Sequence, residues 1–425
     1  MKAAAVEKGE FCQAGTSTGA VIPVDIAAAK AVAIARPIAD VQRLPLMQSA
    51  GRILAHDLVA RMHLPPFDNS AMDGYALKIT EMKGDGPWEF DVAGRVAAGQ
   101  VYESPTREFT ALRVFTGAFV PPVFGAVVMQ ERCERIGDRI VVRNRPRPDE
   151  NIRRAGEDVR AGDPMLAAGD CLTPQRLALI SGQGLAEVDV LRKVRIGLMS
   201  TGSELQSPGE TLLPGHIYNS NRVMIHSMLL ACPWAEVIDF GIVPDSRVTL
   251  ARAFGDAVRT CDVLVTTGGV SAGEEDHVVS ALGDHGGTLE VLKVAMRPGK
   301  PVKVGLIGKM LFVGLPGNPN AAFVTFRQIA LPAIRAIAGM RNVALDWQPA
   351  VAGFCYRKVL GRTEFIPVRR IGRDERGLPV IEMLERGSSA SLSAMALADG
   401  IAMLPPETTL IEAGAPITFE AIGFG

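Results

Sequence analysis

Carboxylates and cations in this chain fall on short turns rich in glycine, proline and small residues, a pattern suited to an anionic substrate and a hard cation. Four such turns read Ser200-Thr-Gly-Ser-Glu204, Gly241-Ile-Val-Pro-Asp245, Thr266-Thr-Gly-Gly-Val-Ser-Ala-Gly-Glu-Glu-Asp276 and Gly314-Leu-Pro-Gly-Asn-Pro319. Glycine lets backbone amides approach an anion closely, and Thr266 to Gly273 offers such donors with hydroxyls where a helix would begin. The loop matches neither a Walker A motif nor a dinucleotide fingerprint. Glu204, Glu274 and Asp276 supply hard oxygen ligands for Mg²⁺, which takes one or two protein carboxylates and completes its shell with substrate oxygens and water. Arg297-Pro-Gly-Lys300-Pro-Val-Lys303 sets closely spaced cations on a stiff turn, suited to an oxyanion or a pyrophosphate. Two more polar loops, Pro65 to Gly74 and Asn151 to Asp158, are explicable by turn chemistry alone or by function. Six histidines lie in no nucleophile context, and six cysteines at least 29 residues apart form no zinc pattern, so they read as reduced core residues.

The four turns need a scaffold. Apolar runs at Val194 to Met199, Glu236 to Gly241, Asp262 to Thr266 and Leu311 to Gly314 alternate with helical patterns at Asn221 to Cys232, Ser246 to Thr260 and from Pro319 on. That alternation predicts a doubly wound, mostly parallel α/β sheet, whose ligands lie beyond the carboxyl ends of its strands. Each of the four turns follows one of those ends. Asp25 to Ala35 and Asn151 to Gly184 read as helical. Residues from Ala76 to about Arg145 break into short β-prone runs, and Val351 to Gly425 does the same in the manner of a small β-barrel. The expected fold is multidomain α/β plus β. Its parts are a helical linker domain (19–65 and 146–190), an inserted β-rich domain (66–145), the α/β domain (191–342) and a C-terminal barrel (343–425).

Composition narrows the function. With 425 residues there is room for two to four domains, and 45 basic against 46 acidic residues leave a net charge of −1. No global field therefore attracts nucleic acid or an anionic membrane. No apolar run reaches the roughly 18 residues of a membrane span, and no signal segment stands at the start, so a cytoplasmic protein is expected. At 48% apolar and 21% charged the chain is globular.

In order along the chain, Pro-Phe-Asp68-Asn-Ser-Ala-Met-Asp73-Gly-Tyr, Thr116-Gly-Ala, Val127-Val-Met-Gln-Glu131, Asn151-Ile-Arg-Arg-Ala-Gly-Glu-Asp158, Ser200-Thr-Gly-Ser-Glu204-Leu, Thr267-Gly-Gly-Val-Ser271, Pro298-Gly-Lys300-Pro and Leu315-Pro-Gly-Asn-Pro319 closely resemble the molybdopterin molybdenumtransferases, whose fold is shared by the gephyrin E-domain. The resemblance covers about residues 40 to 425. It implies four domains, an elongated homodimer with a shared active site, and a Mg²⁺-assisted reaction of adenylylated molybdopterin with molybdate that yields molybdenum cofactor and AMP. By resemblance Glu204 and Asp276 handle metal and adenylate, while Asp68, Thr116 and Asp158 are brought to the cleft by the partner subunit. Ser271, Lys300 and Pro301 resemble the molybdate pocket, and Gly268, Gly269, Arg297, Pro316, Gly317 and Asn318 complete the substrate-binding set. The chain departs from the family pattern at Ser203 and Asn219, where Asp is usual, at Arg297, where Lys is usual, and at Pro367, where Arg is usual. A non-catalytic scaffold or pterin carrier of the same fold is the rival reading. Retention of Glu204, Asp276 and Lys300 favours the enzyme, because a scaffold has no need of that mixed-charge set.

Overall fold

The structure is a computed structural model that describes residues 21–268, 286–384 and 391–422. Contacts divide these into two compact units, one of residues 56–168 and 173–188, the other of 21–55, 169–172 and 189–422.

The smaller unit is dominated by a six-stranded sheet. Its strands are β1 (Gly74–Leu77), β2 (Trp88–Val96), β3 (Thr110–Val114), β4 (Ala126–Met129), β5 (Cys133–Ile136) and β6 (Arg139–Val142), in the order β4-β1-β3-β2-β6-β5. All neighbours are antiparallel except β2 and β3. The expectation of helix throughout Asn151 to Gly184 fails. Only Pro174–Gly182 is helical, with Pro174 in the first turn and the Thr173 hydroxyl accepting the Arg176 N–H at 3.4 Å. Ahead of it Gly156, Gly162 and Gly169 take positive φ, which stops a helix, and Ile152-Arg153 pairs instead with Asn69-Ser70.

In the larger unit a sheet orders β7 (Val194–Thr201), β8 (Ala235–Val243), β9 (Val263–Thr267), β10 (Thr288–Leu292), β11 (Val302–Ile307) and β12 (Met310–Leu315) as β8-β7-β9-β12-β11-β10. The first four are parallel. The other two are antiparallel additions, a hairpin partner and an edge strand, that the search for alternating strands and helices does not register. Helices cover both faces. Ile196, Leu198, Val263 and Val265 pack into one core with Ile225 and Leu229, whereas Met199, Leu264 and Phe312 pack into another with Leu250 and Phe254. Two-sided burial explains why Val263–Thr267 has no polar face.

Side-chain caps start two of those helices. Asn219 Oδ1 accepts the Arg222 N–H at 3.1 Å ahead of Ser220–Leu230, and Ser246 Oγ accepts the Thr249 N–H at 3.3 Å ahead of Arg247–Thr260. The long helix expected from Pro319 runs to Ile337 but passes through a π turn at Phe326–Ala330. Pro332 lies just beyond, where it lacks an N–H and crowds the carbonyl of Gln328. Helix Val24–Ile34 packs on this long helix through fully buried Ala27 and Ala31.

The C-terminal strands β13 (Gln348–Ala352), β14 (Thr363–Arg373), β15 (Pro379–Met383), β16 (Gly400–Leu404) and β17 (Pro416–Ala421) run β14-β15-β13-β17-β16, and β16 pairs back to β14. This closes a five-stranded barrel around Ile366, Val368, Ile381, Ala402 and Phe419. Closure removes the sheet edges.

Candidate active site

At the carboxyl ends of the parallel strands the backbone is drawn together tightly. The Gly268 N–H, one residue past β9, donates to Leu315 O at 3.3 Å, and a Cβ on Gly268 would stand 2.1 Å from Thr201 O. Its φ of +86° also favours glycine. Asn221 Nδ2 donates to Gly317 O at 2.6 Å, fastening the loop of Pro316, Gly317 and Asn318 to the start of a helix. Ser200 and Thr267 share a hydroxyl hydrogen bond of 2.9 Å. Around them Thr201 Oγ1, Thr266 Oγ1, Asn219 Nδ2 and Asn221 Oδ1 are buried with no hydrogen-bond partner among the described residues. These four polar atoms flank the same end of the sheet, Thr201 and Thr266 on one face and Asn219 and Asn221 on the other, and are available for polar contacts there.

Glu204 is exposed at the same strand ends, with its carboxylate folded over Gly202. The cationic turn joins them through β11. Lys303 pairs with Gly314 across the β11–β12 hairpin, so Arg297 to Pro301, just before β11, adjoins the end of β12. Lys300 is exposed, and Gly299, at φ +116°, is pressed against Met296 and Thr325. Burial lowers the Lys303 ammonium pKa to about 8. Glu204, Gly268, Arg297, Lys300, Pro301 and Pro316 to Asn318 thus belong to one end of the sheet. Gly269, Ser271, Glu274 and Asp276 lie outside the described residues.

The other expected residues converge within the smaller unit. Asp68 is half-buried; its Oδ1 accepts the Ala155 N–H at 2.8 Å and its Oδ2 pairs with Arg154, which also holds Asp149. Those two carboxylates raise the Arg154 guanidinium pKa. The loop bearing Asp158 returns beside it through the Val159–Leu64 bridge, and Asp158 itself is exposed. Thr116 adjoins through hydrogen bonds between Ser70 and the backbone of Gly117 and Ala118. Asp73 Oδ1 accepts both the Thr116 N–H and its hydroxyl, each at 2.8 Å, and these bonds hold the Asp73 carboxyl below the usual range.

A separate cleft of about 310 Å³ lies at the amino ends of β7 and β8, lined by Asp40, Arg52, Arg192, Lys193, Arg195 and Glu236 among others. Its cations are largely occupied, since Arg192 clamps Asp262 and reaches Asp40, and Arg195 also reaches Asp262. It reads as an ion-pair network closing the sheet.

Three family models match in sequence: the MoeA N-terminal region (domain I and II) over residues 17–184, a probable molybdopterin binding domain over 197–336, and the MoeA C-terminal region (domain IV) over 349–422. The molybdopterin molybdenumtransferase of Haemophilus influenzae is 36% identical over 386 residues, covering 89% of this chain and 93% of that protein. The chain belongs to the molybdopterin molybdenumtransferase family. The Bacillus subtilis molybdopterin molybdenumtransferase is 31% identical over 93% of each chain. The solved molybdopterin biosynthesis moeA protein of Pyrococcus horikoshii superposes with a TM-score of 0.79 at 27% identity, over 95% of this chain and all of that one.

Within this molybdenumtransferase chain, the departures from the family pattern acquire physical roles. Asn219 is a helix cap. Arg369 and Arg370, the cations nearest Pro367 on β14, are engaged by Glu382 and Asp399. No group of three or more His, Cys, Asp and Glu side chains is arranged for a metal among the described residues. Among the described residues Glu204 and Asp245 place exposed carboxylates at the strand ends, a sparse set of hard oxygens compatible with a Mg²⁺ held mainly by substrate oxygens and water. Sequence reasoning passed over Asp73 and Arg154, which stand inside the quoted motifs and could have been selected there.

Proposed function

We propose that this chain inserts molybdate into adenylylated molybdopterin with release of AMP, assisted by Mg²⁺. The observation that carries the reading is the set of buried polar atoms without a partner among the described residues at the carboxyl ends of the parallel strands, at the same end of the sheet as Glu204 and the Arg297 to Pro301 turn. The names of the curated relatives support it. In this reading Gly268, Gly269 and Pro316 to Asn318 bring backbone close to the pterin nucleotide, and Glu204 with Asp276 would hold Mg²⁺. Magnesium would offset charge on the pyrophosphate. Ser271, Lys300 and Pro301, with Arg297, bind molybdate as a substrate. Lys300 suits a small dianion because its ammonium is compact and its turn is stiffened by Pro298 and Pro301.

The finer arrangement belongs to the same proposal: four domains, and a homodimer in which Asp68, Thr116 and Asp158 complete the partner's site. Leu212, Leu213, Ile217, Tyr218, Val223 and Leu230 are exposed apolar side chains within one stretch of the larger unit, which favours a self-contact there. A reducing cytoplasm suits the cysteines, of which the five among the described residues are all free.

The reading is tested by AMP release from adenylylated molybdopterin, with molybdate and Mg²⁺ omitted in turn. Full release is expected only with both. Glu204→Ala should lower it at limiting Mg²⁺, and Lys300→Ala should raise the molybdate requirement more than it weakens pterin binding. Equal release without molybdate would overturn the proposal.

A further inference from the structure

The cationic turn is tied to the C-terminal barrel. Met296-Arg297 runs parallel to Thr363-Glu364 at the start of β14, and the Thr363 N–H donates to Ala295 O at 2.9 Å. Glu364 is only 2% exposed. Its Oε2 accepts the Tyr356 hydroxyl at 2.9 Å, and its Oε1 lies 3.8 Å from Arg297 Nη1. A carboxylate buried to that degree costs free energy unless a donor and a cation face it, and here Tyr356 and Arg297 do so. The contact with Arg297 is an ion pair at 3.8 Å and not a bidentate fork, so the carboxylate draws the guanidinium by charge while the strand pairing of Arg297 with Glu364 sets where it starts. Gly299 is meanwhile lodged against Met296 and Thr325. The turn is therefore held at Arg297 by a carboxylate and at Gly299 by a helix.

We infer that Glu364 is a positioning residue for the oxyanion site: with Tyr356 it fixes Arg297, and through Arg297 the geometry of the Arg297-Pro-Gly-Lys300 turn, before a small tetrahedral dianion binds. The inference rests on the proposed reading of that turn. Glu364 need not touch the substrate. Its contribution is preorganisation, which strengthens binding by reducing the ordering that the ligand must otherwise impose.

The test is equilibrium dialysis of molybdate against the full chain, in the wild type and in Arg297→Ala, Glu364→Gln and Tyr356→Phe. Glu364→Gln should weaken molybdate binding about fivefold to tenfold and Tyr356→Phe about twofold to threefold, with thermal melting unchanged. In turnover, Glu364→Gln should raise KM for molybdate while kcat stays within about twofold, and Glu364→Asp should recover part of the loss. If Arg297→Ala binds molybdate as the wild type does, the reading of the turn fails and the inference falls with it. If Arg297→Ala binds weakly but Glu364→Gln matches the wild type or binds more tightly, the positioning role is wrong while the reading stands. Should Glu364→Gln fail to fold, Tyr356→Phe decides, and an unchanged affinity there overturns the inference.

Discussion

At the residue scale, the carboxylates proposed for the site differ in how far their neighbours engage them. Asp68 and Asp73 each hold a neighbouring loop, one through Ala155 and Arg154, the other through Thr116. Asp158 and Glu204 are exposed. Because Asp73 Oδ1 holds both the N–H and the hydroxyl of Thr116, Asp73→Ala and Thr116→Ala should reduce AMP release to a similar extent, and the double variant should be no worse than either. Additive losses, read from kcat/KM, would mean that Asp73 has a separate task. Lys303 gives a pH signature. Its pKa in the folded chain, about 8, lies below the ordinary 10.5, so the unfolded chain binds the proton more tightly. Stability should therefore rise as pH climbs from 8 to 10.5, by up to about 3 kcal/mol, and be lost again as pH falls back through that window. Urea unfolding at pH 7.5, 9 and 10.5 should show this rise in the wild type and not in Lys303→Met.

At the element scale, glycines separate space needed by the fold from space available to a ligand. A Cβ on Gly268 would collide with Thr201 O, whereas one on Gly317 would meet nothing within 4 Å among the described residues. Gly268→Ala should cost at least about 2 kcal/mol in urea unfolding, combining a backbone clash with positive φ. Gly317→Ala should leave stability within about 0.5 kcal/mol, and any loss of turnover would then reflect crowding of substrate. Three of the four parallel strands, Val194–Thr201, Val263–Thr267 and Met310–Leu315, were legible because two-sided burial makes them nearly continuous apolar runs, and the edge strand Ala235–Val243 by its place in the alternation with helices. The two antiparallel strands were not, since a hairpin partner such as Val302–Ile307 has no helix before it to announce the crossover. Residues 151 to 173 misled for another reason: their apolar spacing suits a helix, but glycines at positive φ divert the backbone into short bridges. Among the site residues, Glu204 and Lys300 stood out because charge sits beside glycine and proline. Glu364 did not, because its significance depends on a parallel pairing across 67 residues with Arg297.

At the scale of the whole molecule, the proposed residues fall in two compact units, which suits a site completed by a symmetric partner. Mixing inactive Asp68→Ala and Asp276→Asn proteins, with time for subunit exchange, should restore part of the activity, because each heterodimer would carry one site with both carboxylates. Heterodimers no more active than the parents would place the site within one chain. The most direct measurement concerns the reaction itself. With enzyme in excess over adenylylated molybdopterin, and with molybdate and Mg²⁺ present, AMP and molybdenum-loaded cofactor should appear together in equal amounts. AMP appearing without molybdenum-loaded cofactor, or no AMP at all, would contradict the account.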